Sequence, residues 1–138
     1  DARSLETLLY RQSGLLGLSG VSSDMRELRA STKPRARMAV DYFAYRIVQE
    51  VGRLAASLGG LDALVFTAGI GEKDAELRAQ VVQRLAPLFG LALDDDANRR
   101  HATRIEARHS ARPIFVISTD EEIMIAGHTW RLHRERNT

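Results

Sequence analysis

The sequence predicts an α/β fold in which a pair of parallel strands is covered by helices. Two short stretches, 63–68 and 114–118, are apolar and do not alternate with polar residues, which is typical of strands buried on both faces. Helical patterns precede, separate and follow these stretches. Because a crossover helix usually joins parallel strands, this order favours a single layered α/β unit over residues 1–138.

The first part of the chain is predicted to be a helix, a loop and a second, shorter helix. Residues 1–12 carry leucines at helical spacing, and glycines then punctuate residues 13–20, which favours turns and loop. Residues 24–30 can form a short helix with Ser22 or Ser23 as its N-cap.

The longest helix is predicted to begin at Pro34, which suits a first helical turn. Ser31 or Thr32 is its expected cap, and the glycine pair at 59 and 60 is its expected end. Apolar residues recur at steps of three or four, the spacing of one helix face. This stripe is expected to form core or oligomer surface, and it consists of Phe43, Ile47, Val51, Leu54 and Leu58.

The strand at 63–68 is followed by a second amphipathic helix. Asp74 is its expected cap and Gly90 lies at its expected end. Its predicted core-facing stripe consists of Leu77, Val81, Leu85 and Leu88. Residues 91–113 are polar and irregular, and a last helix is predicted over 120–138.

Composition and charge exclude several classes of function. The 20 basic residues nearly balance 18 acidic ones, so little steering of nucleic acid is expected. The sharpest basic cluster, Lys33, Arg35 and Arg37, has no interleaved aromatic residues that would stack on bases. The chain has no cysteine, which excludes disulfides and thiolate sites. No apolar run approaches the ~20 residues that cross a bilayer, so no membrane partner is expected.

The four histidines are expected at exposed or helix-end positions. Their spacing relative to the carboxylates does not suggest paired metal ligands. These residues are His101, His109, His128 and His133.

The end of the first predicted strand is one candidate site, because ligands of open α/β sheets bind beyond the carboxyl ends of strands. Gly69 and Gly71 follow that strand and precede a helix. Glycines permit positive φ and a close approach of phosphate to the backbone. A purely structural turn is the alternative, since a lone G-x-G is a weak motif.

The end of the second predicted strand is another candidate. Asp120, Glu121 and Glu122 place three carboxylates at a helix opening. They can offset the positive end of the helix dipole. Alternatively, one of them helps to hold a hydrated Mg²⁺ beside nucleotide phosphates.

A third candidate lies at the start of the short helix. Asp24 can accept hydrogen bonds from a ribose, and Arg26 can stack on a purine or pair with a phosphate. A capped helix with a surface ion pair is the alternative.

Three stretches together resemble successive motifs of the acetate kinase family, in the family's order and at nearly its spacing. They are SGLLGLSGVSSDMREL, DALVFTAGIGEK and VISTDEEIMIAGHT. The resemblance covers residues 13–129 and corresponds to roughly the last third of a full-length member. It implies a partial two-lobed fold of the actin, hexokinase and Hsp70 type (ribonuclease H-like), of which this chain supplies most of the nucleotide-binding lobe. It also implies reversible, magnesium-dependent transfer of the γ-phosphoryl group of ATP to acetate, giving acetyl phosphate and ADP.

The resemblance also assigns site residues. Asp24, Met25 and Arg26 match the family's adenosine contacts, and Glu121 matches a glutamate associated with magnesium, with Glu122 as a one-residue alternative. The matching nucleotide loop consists of Gly69, Ile70, Gly71, Glu72 and Lys73. At its last position the family usually has asparagine, so a lysine ammonium here replaces an amide that can also accept hydrogen bonds.

The family's catalytic residues lie upstream of this segment, so no catalytic residue is identified. We expect the chain alone to be inactive and to bind ATP or ADP weakly. The resemblance further implies a cytoplasmic homodimer, with acetate or acetyl phosphate and an adenine nucleotide as partners. Two alternatives stay open: propionate kinase, which shares these motifs, and a non-catalytic nucleotide-binding module.

Overall fold

The computed structural model describes residues 1–136, which form eight helices and two strands. In chain order the elements are α1 (Ala2–Arg11), α2 (Gly14–Ser19), α3 (Met25–Ala30), α4 (Pro34–Leu58), β1 (Leu64–Phe66), α5 (Ala68–Lys73), α6 (Ala75–Phe89), α7 (Asp95–Arg99), β2 (Ile114–Val116) and α8 (Glu121–Arg136). Among these residues, every helix is too short or too polar to cross a bilayer.

The two strands pair in parallel, as predicted. Leu64 lies opposite Ile114, and Phe66 lies opposite Val116. All four side chains are buried in the main core, where the sheet packs against α4 and α6. The α/β class with a parallel pair is therefore confirmed.

The second face of the sheet differs from the prediction. Val65 on β1 is 48% exposed, and Ile117, directly after β2, is 45% exposed. The burial of β1 therefore alternates along the strand. The unbroken apolar run predicted that helices cover both faces of the sheet. This prediction is wrong for the described residues, because their helices pack against only one face of β1.

The long helix α4 has the predicted start and end, and the first part of its apolar stripe packs on the main core. Gly59 ends it in the left-handed conformation at φ 79°, and Lys33, rather than a hydroxyl residue, occupies the N-cap position. Leu54 and Leu58 are 50% and 80% exposed, so the end of the stripe lies outside the core of the described residues. The fully buried residues are mostly small, which lets α2, α3 and α6 approach closely. They are Ala36, Ala39, Val40, Ala44 and Ala55.

The helix α6 is capped by Asp74 and ends at Gly90, both as predicted. Of the four residues in its predicted stripe, three are buried, namely Leu77, Val81 and Leu85. Leu88 is 68% exposed, because the buried arc of α6 is centred on the side that carries Val82 and Phe89.

Helices α2, α5 and α7 form where loop was expected. The glycine-rich segment folds as α2, with left-handed glycines only at its ends, and packs on α4. Tertiary packing therefore overrides the low helix propensity of glycine there. Asp94 caps α7 by accepting a hydrogen bond from the N–H of Ala97 over 2.9 Å.

Candidate functional site

A cleft of about 710 Å³ lies between α3 on one side and α5 with the start of α6 on the other. Its lining consists of Ser23, Asp24, Met25, Arg26, Arg29, Gly69, Ile70, Lys73, Asp74, Ala75, Glu76 and His101. The cleft thus brings together the two groups of nucleotide-contacting residues that the sequence suggested. Gly71 and Glu72 belong to the same helix as Gly69, but do not line the cleft.

The glycines after β1 do not form the expected open loop. Gly69 and Gly71 are helical residues of α5, and the positive φ falls instead on Ala68, at 58°. This single left-handed residue turns the chain from β1 into α5. A Cβ added to Gly71 would lie 3.4 Å from the carbonyl carbon of Phe66, an ordinary van der Waals contact, so this glycine faces the end of β1. A Cβ at Gly69 would meet nothing within 4 Å, so its bare backbone is open at the cleft wall.

Asp24 caps α3 and pairs with Arg26. Its Oδ1 accepts the backbone N–H of Arg26 over 2.8 Å, and its Oδ2 accepts Nη2 of the same residue over 2.7 Å. The hydrogen bonds from Arg26 hold the pKa of Asp24 at about 2. The expected cap, Ser22 or Ser23, is therefore wrong, and the Ser22 hydroxyl instead accepts the N–H of Asp24 over 3.0 Å. The side chain of Arg26 is 91% exposed at the mouth of the cleft.

Arg29 joins the two walls of the cleft. Its Nε lies 2.8 Å from Oδ2 of Asp74, and its Nη1 lies 2.7 Å from Oε2 of Glu76. Asp74 also accepts the N–H of Leu77 over 2.9 Å and so caps α6. These bonds tie α3 to the start of α6 and set the width of the cleft.

Arg78 is fully buried behind α5, and it was not among the candidates from the sequence. Its Nη1 donates to the carbonyl oxygens of Gly71 and Glu72, each over 2.8 Å. Its Nε and Nη2 donate to the side chain and backbone of Asn98, and Nη2 also lies 3.0 Å from Nδ1 of His101. Burial lowers the pKa of Arg78. The available sequence signal was the position of Arg78 directly after the core leucine Leu77 in α6. An arginine beside the core is expected to have partners, since an unpaired buried charge is costly.

Glu72 connects α5 to the end of β2. Its Oε1 accepts the backbone N–H of Thr119 over 3.0 Å, and its Oε2 accepts the hydroxyl of Ser118 over 2.8 Å. The hydrogen bonds from Thr119 and Ser118 lower the pKa of Glu72. The start of the predicted site after β2, at Ser118 and Thr119, therefore lies beside α5 and does not line the cleft.

The described carboxylates near the cleft are already engaged within the protein. Asp120 accepts the N–H of Ile123 over 2.9 Å at the start of α8, and Glu72 and Asp74 hold the contacts given above. The described side chains, which do not include that of Glu121, show no cluster of three or more metal-ligating residues. The side chain of Glu121, the predicted magnesium ligand, lies outside the described residues.

Comparison with known proteins assigns the chain to one group. A model of the Acetokinase family matches residues 1–127. An acetate kinase of Nitrobacter hamburgensis is 54% identical over 133 residues, which are 96% of this chain and 33% of that protein. The crystal structure of Porphyromonas gingivalis acetate kinase superposes with a TM-score of 0.85 at 36% identity, over 95% of this chain and 34% of that one. A propionate kinase from Francisella tularensis gives a TM-score of 0.81 at 37% identity, over 91% of this chain and 33% of that one.

These likenesses confirm the expected actin- and hexokinase-like fold. The chain spans about a third of the length of the curated relatives it matches. Since the family model covers nearly all of it, the chain belongs to the Acetokinase family.

Proposed function

We propose that this chain supplies one wall of the nucleotide site in a kinase that transfers the γ-phosphoryl group of ATP reversibly to acetate, giving acetyl phosphate and ADP. One observation carries the proposal: two separate sequence groups, Asp24–Arg26 and Gly69–Lys73, contribute residues to a single cleft. Because the chain spans about a third of its relatives, we assign the activity to the full-length protein.

Each of these residues has a role suited to a nucleotide. The exposed guanidinium of Arg26 can stack on a purine or pair with a phosphate, and Lys73 offers a flexible positive charge. Ile70 contributes apolar surface, and Gly69 leaves room for a close approach to the backbone. Phosphoryl transfer depends mainly on positioning and on cations near the transferred group, and this wall supplies both.

Magnesium belongs to the proposal as the ion that accompanies ATP, where it neutralises charge that spreads over the transferred phosphoryl group. Glu121 is its proposed protein contact. The described part of the chain orients and binds the nucleotide, and phosphate oxygens supply further ligands of the ion, as is usual for Mg²⁺.

The groups that bind the acyl substrate are proposed to lie outside this chain, which we expect to be inactive alone. Propionate is the alternative acceptor, since a propionate kinase is among the similar structures. A cytoplasmic homodimer remains part of the proposal. Exposed apolar side chains support a further protein contact, among them Leu9, Tyr10 and Trp130.

The proposal is tested on the full-length protein by measuring phosphoryl transfer to acetate and to propionate, together with ATP affinity. Arg26→Ala is expected to raise the Kd for ATP about tenfold, the loss of one charge-assisted contact. Arg46→Ala is the matched control, because Arg46 is 53% exposed on α4 and pairs with Glu50 outside the cleft lining. It is expected to leave the affinity unchanged.

Absence of transfer to acetate would contradict the reaction, and faster transfer to propionate would favour the alternative acceptor. If the Arg26→Ala variant binds ATP as tightly as the wild type, the cleft is not the nucleotide site.

A further inference from the structure

His101 lies at the end of a helix and is exposed, as the sequence analysis expected, and it combines two further features. It follows α7 in the left-handed conformation, at φ 53°, a place where a helix usually ends in glycine or asparagine. Its side chain lines the same cleft as Arg26 and Lys73. A histidine here therefore adds an imidazole ring to the cleft at the cost of a strained backbone angle.

The protonation of this ring is determined by its buried neighbour. Nη2 of Arg78 lies 3.0 Å from Nδ1 of His101, and a guanidinium can only donate hydrogen bonds. Nδ1 must therefore accept, which places the proton of the neutral ring on Nε2. Arg78 is fully buried and its other N–H groups are bound to Asn98, Gly71 and Glu72, so its position is fixed.

The second ring nitrogen is available. Among the side chains that the structure describes, which exclude those of residues 121 and 136, no hydrogen bond reaches Nε2 of His101, and the residue is exposed. A donor that is already oriented, and has no internal partner to give up, binds an acceptor with little ordering cost.

We propose that His101 is a specificity-determining residue of the nucleotide cleft, whose Nε2–H donates a hydrogen bond to an uncharged acceptor on the base or sugar of the nucleotide. This inference rests on the proposed nucleotide site. An uncharged acceptor is assigned because the cations Arg26 and Lys73, in the same lining, already suit the phosphates, whereas a neutral imidazole does not add charge.

Replacing His101 with asparagine separates the two roles of the ring, which are to accept a hydrogen bond from Arg78 and to donate one to the nucleotide. Its Oδ1 can accept from Arg78 as Nδ1 does, and asparagine tolerates a positive φ. It is too short to present a donor where Nε2 lies. His109→Asn is the matched control, because His109 is exposed and does not line the cleft.

Calorimetry on the full-length protein would compare ATP, adenosine and inorganic triphosphate. We expect His101→Asn to keep the wild-type Tm and to raise the Kd for ATP and for adenosine by about five- to tenfold, the loss of one hydrogen bond. The Kd for triphosphate should stay unchanged, and His109→Asn should behave as the wild type. Nitrogen chemical shifts of the His101 ring should report a proton on Nε2.

An unchanged Kd for ATP in His101→Asn overturns the inference, and so does an equal loss for triphosphate, which would indicate a phosphate contact. If His101→Asn lowers the Tm, His101→Gly replaces it, since glycine suits the backbone angle, and the same pattern of Kd changes is required. Failure of the wild-type protein to bind ATP overturns the proposed function and this inference together. Wild-type binding with an unaffected variant overturns only the role of His101.

Discussion

The carboxylate of Glu72 accepts the backbone N–H of Thr119 over 3.0 Å, across 47 residues of sequence. This bond, with the one from Ser118, holds the helix after β1 against the chain leaving β2. The two ends of the parallel strands are therefore joined through a side chain of the nucleotide-loop motif. Glu72 thus supports the cleft wall from behind, whatever it contacts in a bound complex.

Glu72→Gln should change the dependence of stability on pH. The folded-state pKa of Glu72 is lowered by its hydrogen bonds from Thr119 and Ser118, so the ionised carboxylate stabilises the fold above its ordinary pKa of about 4.3. That contribution is lost as the pH falls through the lowered folded-state value. Urea unfolding should give a wild-type advantage over Glu72→Gln that is constant near neutral pH and disappears in acid. An advantage that grows in acid would contradict the assignment; Glu6→Gln, on the exposed helix α1, serves as control.

Arg78→Met should destabilise the fold by about 3 kcal/mol, because it removes the donor to the buried carbonyl oxygen of Asn98 and to the partly buried ones of Gly71 and Glu72. Arg78→Lys should recover part of this, since an ammonium has three donors. Chemical denaturation would measure both. Arg84→Met is the matched control on the same helix, because Arg84 is exposed and makes one 3.2 Å bond to the backbone of Asp41. Equal effects of Arg78→Met and Arg84→Met would show that the buried network is not important for stability.

Ala68→Gly should raise the free energy of unfolding by about 1 kcal/mol. Ala68 has φ 58°, where a Cβ is strained and glycine is not. Ala56→Gly is the control: it lies exposed within α4 and should lower stability by roughly 1 kcal/mol. Thermal unfolding would measure both, and a loss of stability in Ala68→Gly would show that the turn into α5 carries no strain.

Gly69→Ala should weaken nucleotide binding without weakening the fold. The added Cβ has free space around it, so folding tolerates it, but it occupies surface of the cleft. We expect a rise of about fivefold or more in the Kd for ATP and an unchanged or higher Tm. Gly52→Ala, in the middle of α4, should raise stability by about 0.5–1 kcal/mol and leave the Kd unchanged. Unaltered ATP binding by Gly69→Ala would place the nucleotide elsewhere.

Much of this fold follows from local chemistry that the sequence displays. Pro34 and Gly59 mark the ends of α4, because one presets a helical φ and the other adopts the left-handed angle that ends a helix. Asp74 marks the start of α6 in the same local way. The two strands were recognisable from continuous apolar runs, and the motif resemblance identified the family.

The tertiary structure alone decided how the site is assembled. From the sequence alone, Arg78 resembles an ordinary surface arginine. In the fold it is buried, bonds to Asn98, which is 20 residues away in the sequence, and supports α5. The same residue brings His101 to the cleft with a defined tautomer. Such contacts join segments far apart in the chain, and their geometry depends on packing that local propensity does not encode. For that reason the sequence by itself determined the elements and the family, and the folded packing determined which side chains face the cleft.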